Sequence, residues 1–246
     1  MDVLLRRGIQ LPRRPAGGRL TPRVVEPEWL DMLPAADPRA QRSRRELARV
    51  NALMANASIV AARLRAGAIP SPIVDLGAGD GRFTLRFLRA LGKAPPGARV
   101  TLVDRELHVD DEVHRALRAL GWELEPVRSD VLEWLGSEPA PSGAIVANLF
   151  LHHFQDRDLA RLLALASGRT RRFVACEPRR SHLADLGARL LGTIGCGPVT
   201  RHDAVASVRA GFTDSELTAL WPRQPGWSTE ERARARFSHE FFAERP

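Results

Sequence analysis

"PIVDLGAGDGRFTLRFL", from Pro72 to Leu88, reads as a buried strand, a glycine turn and the start of a helix. The β-branched pair Ile73 and Val74 follows a proline, which suits entry into a strand. Gly77, Gly79 and Gly81 then fall at alternate positions. Glycine admits backbone angles closed to other residues and lets a ligand approach the main chain. Phe83, Phe87, Leu88 and Leu91 recur at helical spacing. A strand–turn–helix unit is expected to present amide donors at the helix N-terminus, over which a polar ligand can lie. Asp75 and Asp80 stand in the same turn and would repel a pyrophosphate, so the expected ligand carries no bare phosphate group.

Outward from this unit, strands and helices alternate. Strands are expected at Ile73–Leu76, Arg99–Asp104, within residues 122–129, at Gly143–Phe150 and at Arg171–Glu177. Helices are expected between them, the last two over His182–Leu191 and Asp203–Leu220, and the tail reads as a strand hairpin. This order implies a parallel sheet with helices on both faces. Upstream, residues 1 to about 36 read as a proline- and arginine-rich arm. Asp37-Pro38 is a helix start, and one long helix is expected from Arg39 to about Arg65, with Leu47, Val50, Met54, Ala57, Ala61 and Leu64 as its apolar stripe. The expected division is an arm and helical cap over 1–70 and a cofactor-binding domain over 71–246.

The net charge is +8, carried almost entirely by arginine, with Lys93 the single lysine and no tyrosine. Such a balance can mark a nucleic-acid partner. Here the arginines are spread along the chain with carboxylates near them, so nucleic acid is not the expected partner. No apolar run reaches the length of a membrane span, and the N-terminus puts its arginines after its apolar patch, the reverse of a secretory signal. The two cysteines, Cys176 and Cys196, form no metal-like cluster. A reduced, cytoplasmic setting is expected.

In an open α/β sheet the ligand sits at the carboxyl ends of the strands. Those ends carry the glycine turn, then Asp104, Asp130, Asn148 and Glu177 in order along the chain. Buried unpaired carboxylates are costly, so this recurrence points to a site. Asp104 can accept both hydroxyls of a ribose. A dinucleotide enzyme would want G-x-G-x-x-G, but Arg82 stands where its last glycine would be. A cofactor with a ribose and a positive centre, but no phosphate, fits better.

"VDLGAGDGRF" and "NLFLHHF" resemble the motifs of class I S-adenosylmethionine-dependent methyltransferases, over roughly Ser71 to Ala184, and look like the small-molecule branch of that family. The resemblance implies a Rossmann-like α/β fold with a mostly parallel seven-stranded sheet and S-adenosyl-L-methionine as cofactor. It places Asp75, Gly77, Ala78 and Gly79 against the amino-acid part of the cofactor. Asp104, with Arg105 beside it, would bind the ribose hydroxyls, and Asp130 the adenine amino group, with Val131 near the ring. Asn148 and Leu149 would lie beside the transferable methyl. The implied reaction is methyl transfer to a small organic acceptor, foremost O-methylation of a phenolic, polyketide or quinone-like metabolite. The alternatives are an RNA or protein methyltransferase and a cofactor-binding partner subunit without turnover.

His153 and His152 are the candidate catalytic residues, since a histidine can take the proton of a phenol or enol as the methyl moves. The competing reading packs one ring under the sheet edge and leaves the other in solvent. Glu177, Arg180, His202 and Asp203 are candidates for the acceptor pocket, or for ion pairs. The N-terminal helix, with Leu47 and Met54, is expected to cover the acceptor side.

Overall fold

The computed structural model describes residues 22–246 except 35, 53, 138 and 139, so most of the expected arm over 1–36 lies outside the described residues. Three N-terminal helices, α1 (Trp29–Met32), α2 (Pro38–Ala52) and α3 (Asn56–Leu64), precede the alternating region. There β1 (Ile73–Leu76), α4 (Arg82–Leu91), β2 (Arg99–Asp104), α5 (Asp111–Ala119), β3 (Glu123–Arg128) and α6 (Val131–Ser137) form the first half. The second half is β4 (Ala144–Asn148), α7 (Asp156–Ser167) and β5 (Arg172–Pro178). It is followed by α8 (His182–Leu190), α9 (Pro198–Ala210), α10 (Glu216–Leu220) and the hairpin β6 (Ser228–Arg234) and β7 (Ser238–Glu244).

The seven strands form one sheet in the order β3-β2-β1-β4-β5-β7-β6. β1 to β5 are parallel, and β7 runs antiparallel to β5 and β6. Successive side chains of a strand point to opposite faces, and the core divides accordingly. Ile73, Val100, Leu102 and Val146 pack with Val60, Leu64, Phe87 and Leu88 on one face. Val74, Leu76, Ile145 and Phe173 pack with Leu159, Leu162, Phe212 and Trp221 on the other. The sheet edges suit exposure: β3 carries Pro126, which cannot donate to a ladder, and β6 carries Glu230, Arg232 and Arg234.

Two expected helices are each divided. The single helix over 39–65 is α2 and α3, separated at Ala55, whose φ is 57°. The break turns Asn56 inward, where Ser238 Oγ donates to its Oδ1 at 2.6 Å. The helix over 203–220 begins earlier, at Pro198, and stops before Gly211. A side chain on Gly211 would come within 2.2 Å of the Pro178 carbonyl oxygen. There the chain leaves the helix to pair with the end of β5, Phe212 N donating to Pro178 O and Arg180 N to Phe212 O, both at 2.9 Å.

α3 belongs to the core rather than lying over it. Val60, Ala61 and Leu64 are buried with the α4 residues. Arg63 bonds buried Glu240 of β7 and Glu230 of β6 and lies over the Phe242 ring, 4.7 Å from its centre. Leu47 and Met54, expected to shape the acceptor side, are partly buried, and α2 packs on α9, where Thr200 Oγ1 donates to Glu46 at 2.6 Å.

Candidate active site

β1 lies between β2 and β4, so its connection leaves toward one side of the sheet while β4 and β5 extend to the other. The strand ends on either side of this switch point frame the candidate site. The register sets Leu76 beside both Val103 and Ala147, and Asn148 beside Cys176, so Gly77, Asp104, Asn148 and Glu177 share one rim.

Several amides of the glycine turn, expected to face a ligand, have acceptors within the chain. Gly77 N and Ala78 N both donate to Val103 O, Gly81 N donates to Ala78 O, and Gly79 N donates to Asp104 Oδ2 at 2.9 Å. Arg82 N donates to the Asp80 side chain. With the amides of Gly77, Ala78, Gly79 and Gly81 held internally, the turn has fewer donors for a phosphate, which needs them. The rim also carries hydrogen-bond acceptors. Asp104, half-buried, also accepts from Glu106 N at 2.8 Å, and an ionised carboxylate with about four acceptor sites has capacity left for two hydroxyls. Asp130 caps α6 through Oδ1, accepting from Leu132 N and Glu133 N. Val131 is buried in the core below it, and Arg105 is exposed beside Asp104.

These features fit S-adenosylmethionine at its adenosine end. A side chain built on Gly79, whose φ is +57°, would meet no atom within 4 Å, so space is open above the turn beside Asp104. The space at Gly77 differs: a Cβ there would come within 2.2 Å of the Phe150 ring. Phe150 thus walls the side on which the amino-acid half of the cofactor is expected. Leu149, just before it, has φ 52°, an uncommon conformation for a branched side chain.

Asp75 is buried and points into the sheet face that carries α4, where Thr84 Oγ1 donates to it. Burial, and then the charge of Asp104, raise its pKa to about 7. The folded chain therefore keeps a proton that the unfolded chain releases near 3.8, and stability falls as pH rises through this window. Asp75→Asn is expected to match the parent in stability near pH 4 and to exceed it by roughly 2–4 kcal/mol above pH 7. Urea unfolding at both pH values measures this.

Beyond β4 the chain makes a tight turn, Leu151–His153, organised by one buried carboxylate. Glu177 accepts from Phe150 N at 3.1 Å, Leu151 N at 2.9 Å and His152 N at 3.4 Å, and its Oε2 lies 2.8 Å from His152 Nδ1. The His152 ring is buried, and its other nitrogen, Nε2, lies 3.6 Å from Glu28 Oε1. Burial alone would lower its pKa, but the two carboxylates raise it to about 9. Burial would raise that of Glu28; the hydrogen bond and charge of His152 more than offset this and hold it low. His153 is exposed, with its ring centre 4.2 Å from that of His152. Loss of part of its water and the neighbouring His152 charge lower its pKa to about 4.

The N-terminal residues close over this turn. Arg23 donates to the carbonyls of His152 and Phe154 and to Asp156. Asn56 Nδ2 donates to Asn148 Oδ1 at 2.8 Å, joining α3 to the end of β4. Sequence reasoning missed Glu28 and Asn56. For Asn56 a signal existed, a polar residue next to Ala57 on the apolar stripe; Glu28 sits in a stretch without periodicity. The other acceptor-pocket candidates have partners within the chain. Asp203 is buried and accepts from Trp29 N and Leu30 N, His202 stacks on Trp29, and Arg180 holds Gly211 O and Glu216.

Residues 73–172 match the family model described as a methyltransferase domain. That stretch, from β1 to the start of β5, is similar to a methyltransferase domain. Solved methyltransferases share its fold. The plantazolicin methyltransferase BpumL, in complex with SAH, is 14% identical, with a TM-score of 0.61 over 86% of this chain and 92% of that one. An O-methyltransferase family protein from Burkholderia thailandensis is 18% identical, with a TM-score of 0.55 over 86% of this chain and 61% of that one. The pyocyanin biosynthetic protein PhzM is 23% identical, with a TM-score of 0.57 over 89% and 61%. No curated protein sequence matches the chain. The described residues include no helix long and apolar enough to cross a membrane.

Proposed function

We propose that the methyltransferase domain transfers a methyl group to an oxygen of a small organic acceptor of phenolic, polyketide or quinone-like type. The observation that supports this reading is the packing of N-terminal residues over the turn after β4, where the acceptor would sit, through Arg23 on Phe154 O, Glu28 against His152 and Asn56 on Asn148. A polymer needs an open track, whereas a small molecule needs an enclosed space that excludes water. The arginines support the same reading: Arg42, Arg63, Arg82, Arg172 and Arg189 each pair with a carboxylate.

When bound, S-adenosylmethionine supplies an electrophilic methyl on a positively charged sulfur. In this reading Asp104 holds the ribose hydroxyls, Asp130 the adenine amino group, and Gly77, Ala78 and Gly79 shape the floor. Arg105 flanks the ribose, Val131 supports the adenine from the core, and Asp75 backs the amino-acid end. Asn148 and Leu149 set the position of the methyl, and Phe150 bounds the acceptor space. The residues act chiefly by positioning, since alignment alone contributes much of such a rate. Neither histidine is the base in this reading. Both nitrogens of His152 face carboxylates, and His153 binds a proton too weakly to draw one from a phenol, whose pKa is about 10.

The test is methyl transfer from labelled S-adenosylmethionine to three pools: small phenols and quinols, total RNA, and protein. Label on a small hydroxylated aromatic is expected. Label confined to RNA or protein would overturn the reading.

A further inference from the structure

We infer that Glu28, His152 and His153 form a binding site for one divalent transition-metal ion of the zinc type, set beside the methyl-acceptor space. One ligand atom from each residue lies within 4.8 Å of the other two. Tetrahedral bonds of about 2.0–2.1 Å place neighbouring ligand atoms about 3.3 Å apart. The distance between His152 Nε2 and Glu28 Oε1, 3.6 Å, is already close to that edge. His153 is exposed, so its ring can close the remaining distance by side-chain rotation.

The surroundings match what a metal-binding histidine needs. Such a ring almost always gives its other N–H to a carboxylate, which fixes the tautomer and leaves the second nitrogen to the ion. Glu177 does this to His152 Nδ1 at 2.8 Å, and three main-chain amides hold Glu177 in turn. Glu28 is itself oriented by the Ser207 hydroxyl. Two imidazoles and one carboxylate are a borderline donor set, suited to zinc, cobalt, nickel or iron rather than magnesium or calcium. Three protein ligands leave a position open, as catalytic rather than structural sites do.

The site begins four residues after Asn148, at the turn that bounds the acceptor space. An acceptor hydroxyl on the open position would release its proton to water as its oxygen binds the ion. This gives the oxygen the electron pair that methyl transfer requires and explains why no histidine base is needed. That role rests on the methyl-transfer reading above; the binding of the ion does not.

The test uses the full chain, stripped with a chelator and titrated with Co²⁺, followed by its visible absorption and by calorimetry. One Co²⁺ per chain is expected, displaced by Zn²⁺. Glu28→Gln and His153→Ala should each weaken binding about tenfold or more, while His182→Ala, at an exposed histidine outside the site, should not. Failure to bind one equivalent would overturn the inference. So would binding that Glu28→Gln and His153→Ala leave unchanged, and the cluster would then be an ion pair between His152 and its two carboxylates. Calorimetry with S-adenosylhomocysteine on the same samples keeps this failure distinct from a failure of the methyl-transfer reading.

Discussion

Asp104→Ala is expected to weaken S-adenosylmethionine binding by about 100-fold or more, the largest loss from any single change at the rim. The carboxylate does two things at once. It accepts from Gly79 N and Glu106 N, which fixes the turn above β1 against the end of β2. In the proposed complex it also accepts the two ribose hydroxyls. Hydrogen bonds to a charged group contribute roughly 1.5–3 kcal/mol each, and a donor left without a partner adds a desolvation cost. Two such bonds to the ligand exceed what the turn could recover by binding water. Asp104→Asn should fall between the two, since its single carbonyl oxygen can keep one main-chain donor but cannot serve both hydroxyls. Calorimetric affinities of the three proteins for S-adenosylhomocysteine decide the point, and equal affinities would remove Asp104 from the ribose site.

Glu177→Ala is expected to destabilise the folded chain by about 3–5 kcal/mol, the range for removing one partner of a buried charge pair. Glu177 is fully buried and accepts from three consecutive amides, Phe150 to His152, as well as from the His152 ring. Its loss leaves the imidazolium with Glu28 alone and leaves amides of a tight turn without acceptors. The turn also carries the left-handed Leu149 and seats Phe150 against Gly77. The damage therefore reaches the cofactor floor as well as overall stability. Urea unfolding gives the stability change. Glu177→Gln, which keeps the shape and one acceptor, should lose less, and a loss no larger for Ala than for Gln would contradict this role.

Much of this arrangement can be read from local sequence. The bounds of β1 and β2 and the register of polar residues at strand ends follow from β-branched runs and from what ends them. These are short-range features: a proline before Ile73, a glycine after Leu76, an acid after Val103. The family motif then narrows the ligand by excluding a pyrophosphate. The structure adds a feature in keeping with that reading, since Val103 O and Asp104 hold the amides of Gly77, Ala78 and Gly79. A linear pattern cannot show this, since the acceptor belongs to a strand about twenty-five residues away. The break at Ala55 was hidden for a related reason. The apolar stripe continues from α2 into α3, while the cause of the break is a contact of Asn56 with Ser238 and Asn148 at distant points of the chain. The histidine pair was visible as a motif, but its chemistry depends on Glu28 and Glu177, which only the fold brings to it.

In the proposed complex the rim formed by the glycine turn, Asp104 and Asp130 holds S-adenosylmethionine. Calorimetric titration of the purified full chain with S-adenosylhomocysteine tests it most directly. Saturable binding of one molecule per chain is expected, strongly weakened in Asp104→Ala. Absence of binding to the folded parent protein would contradict it.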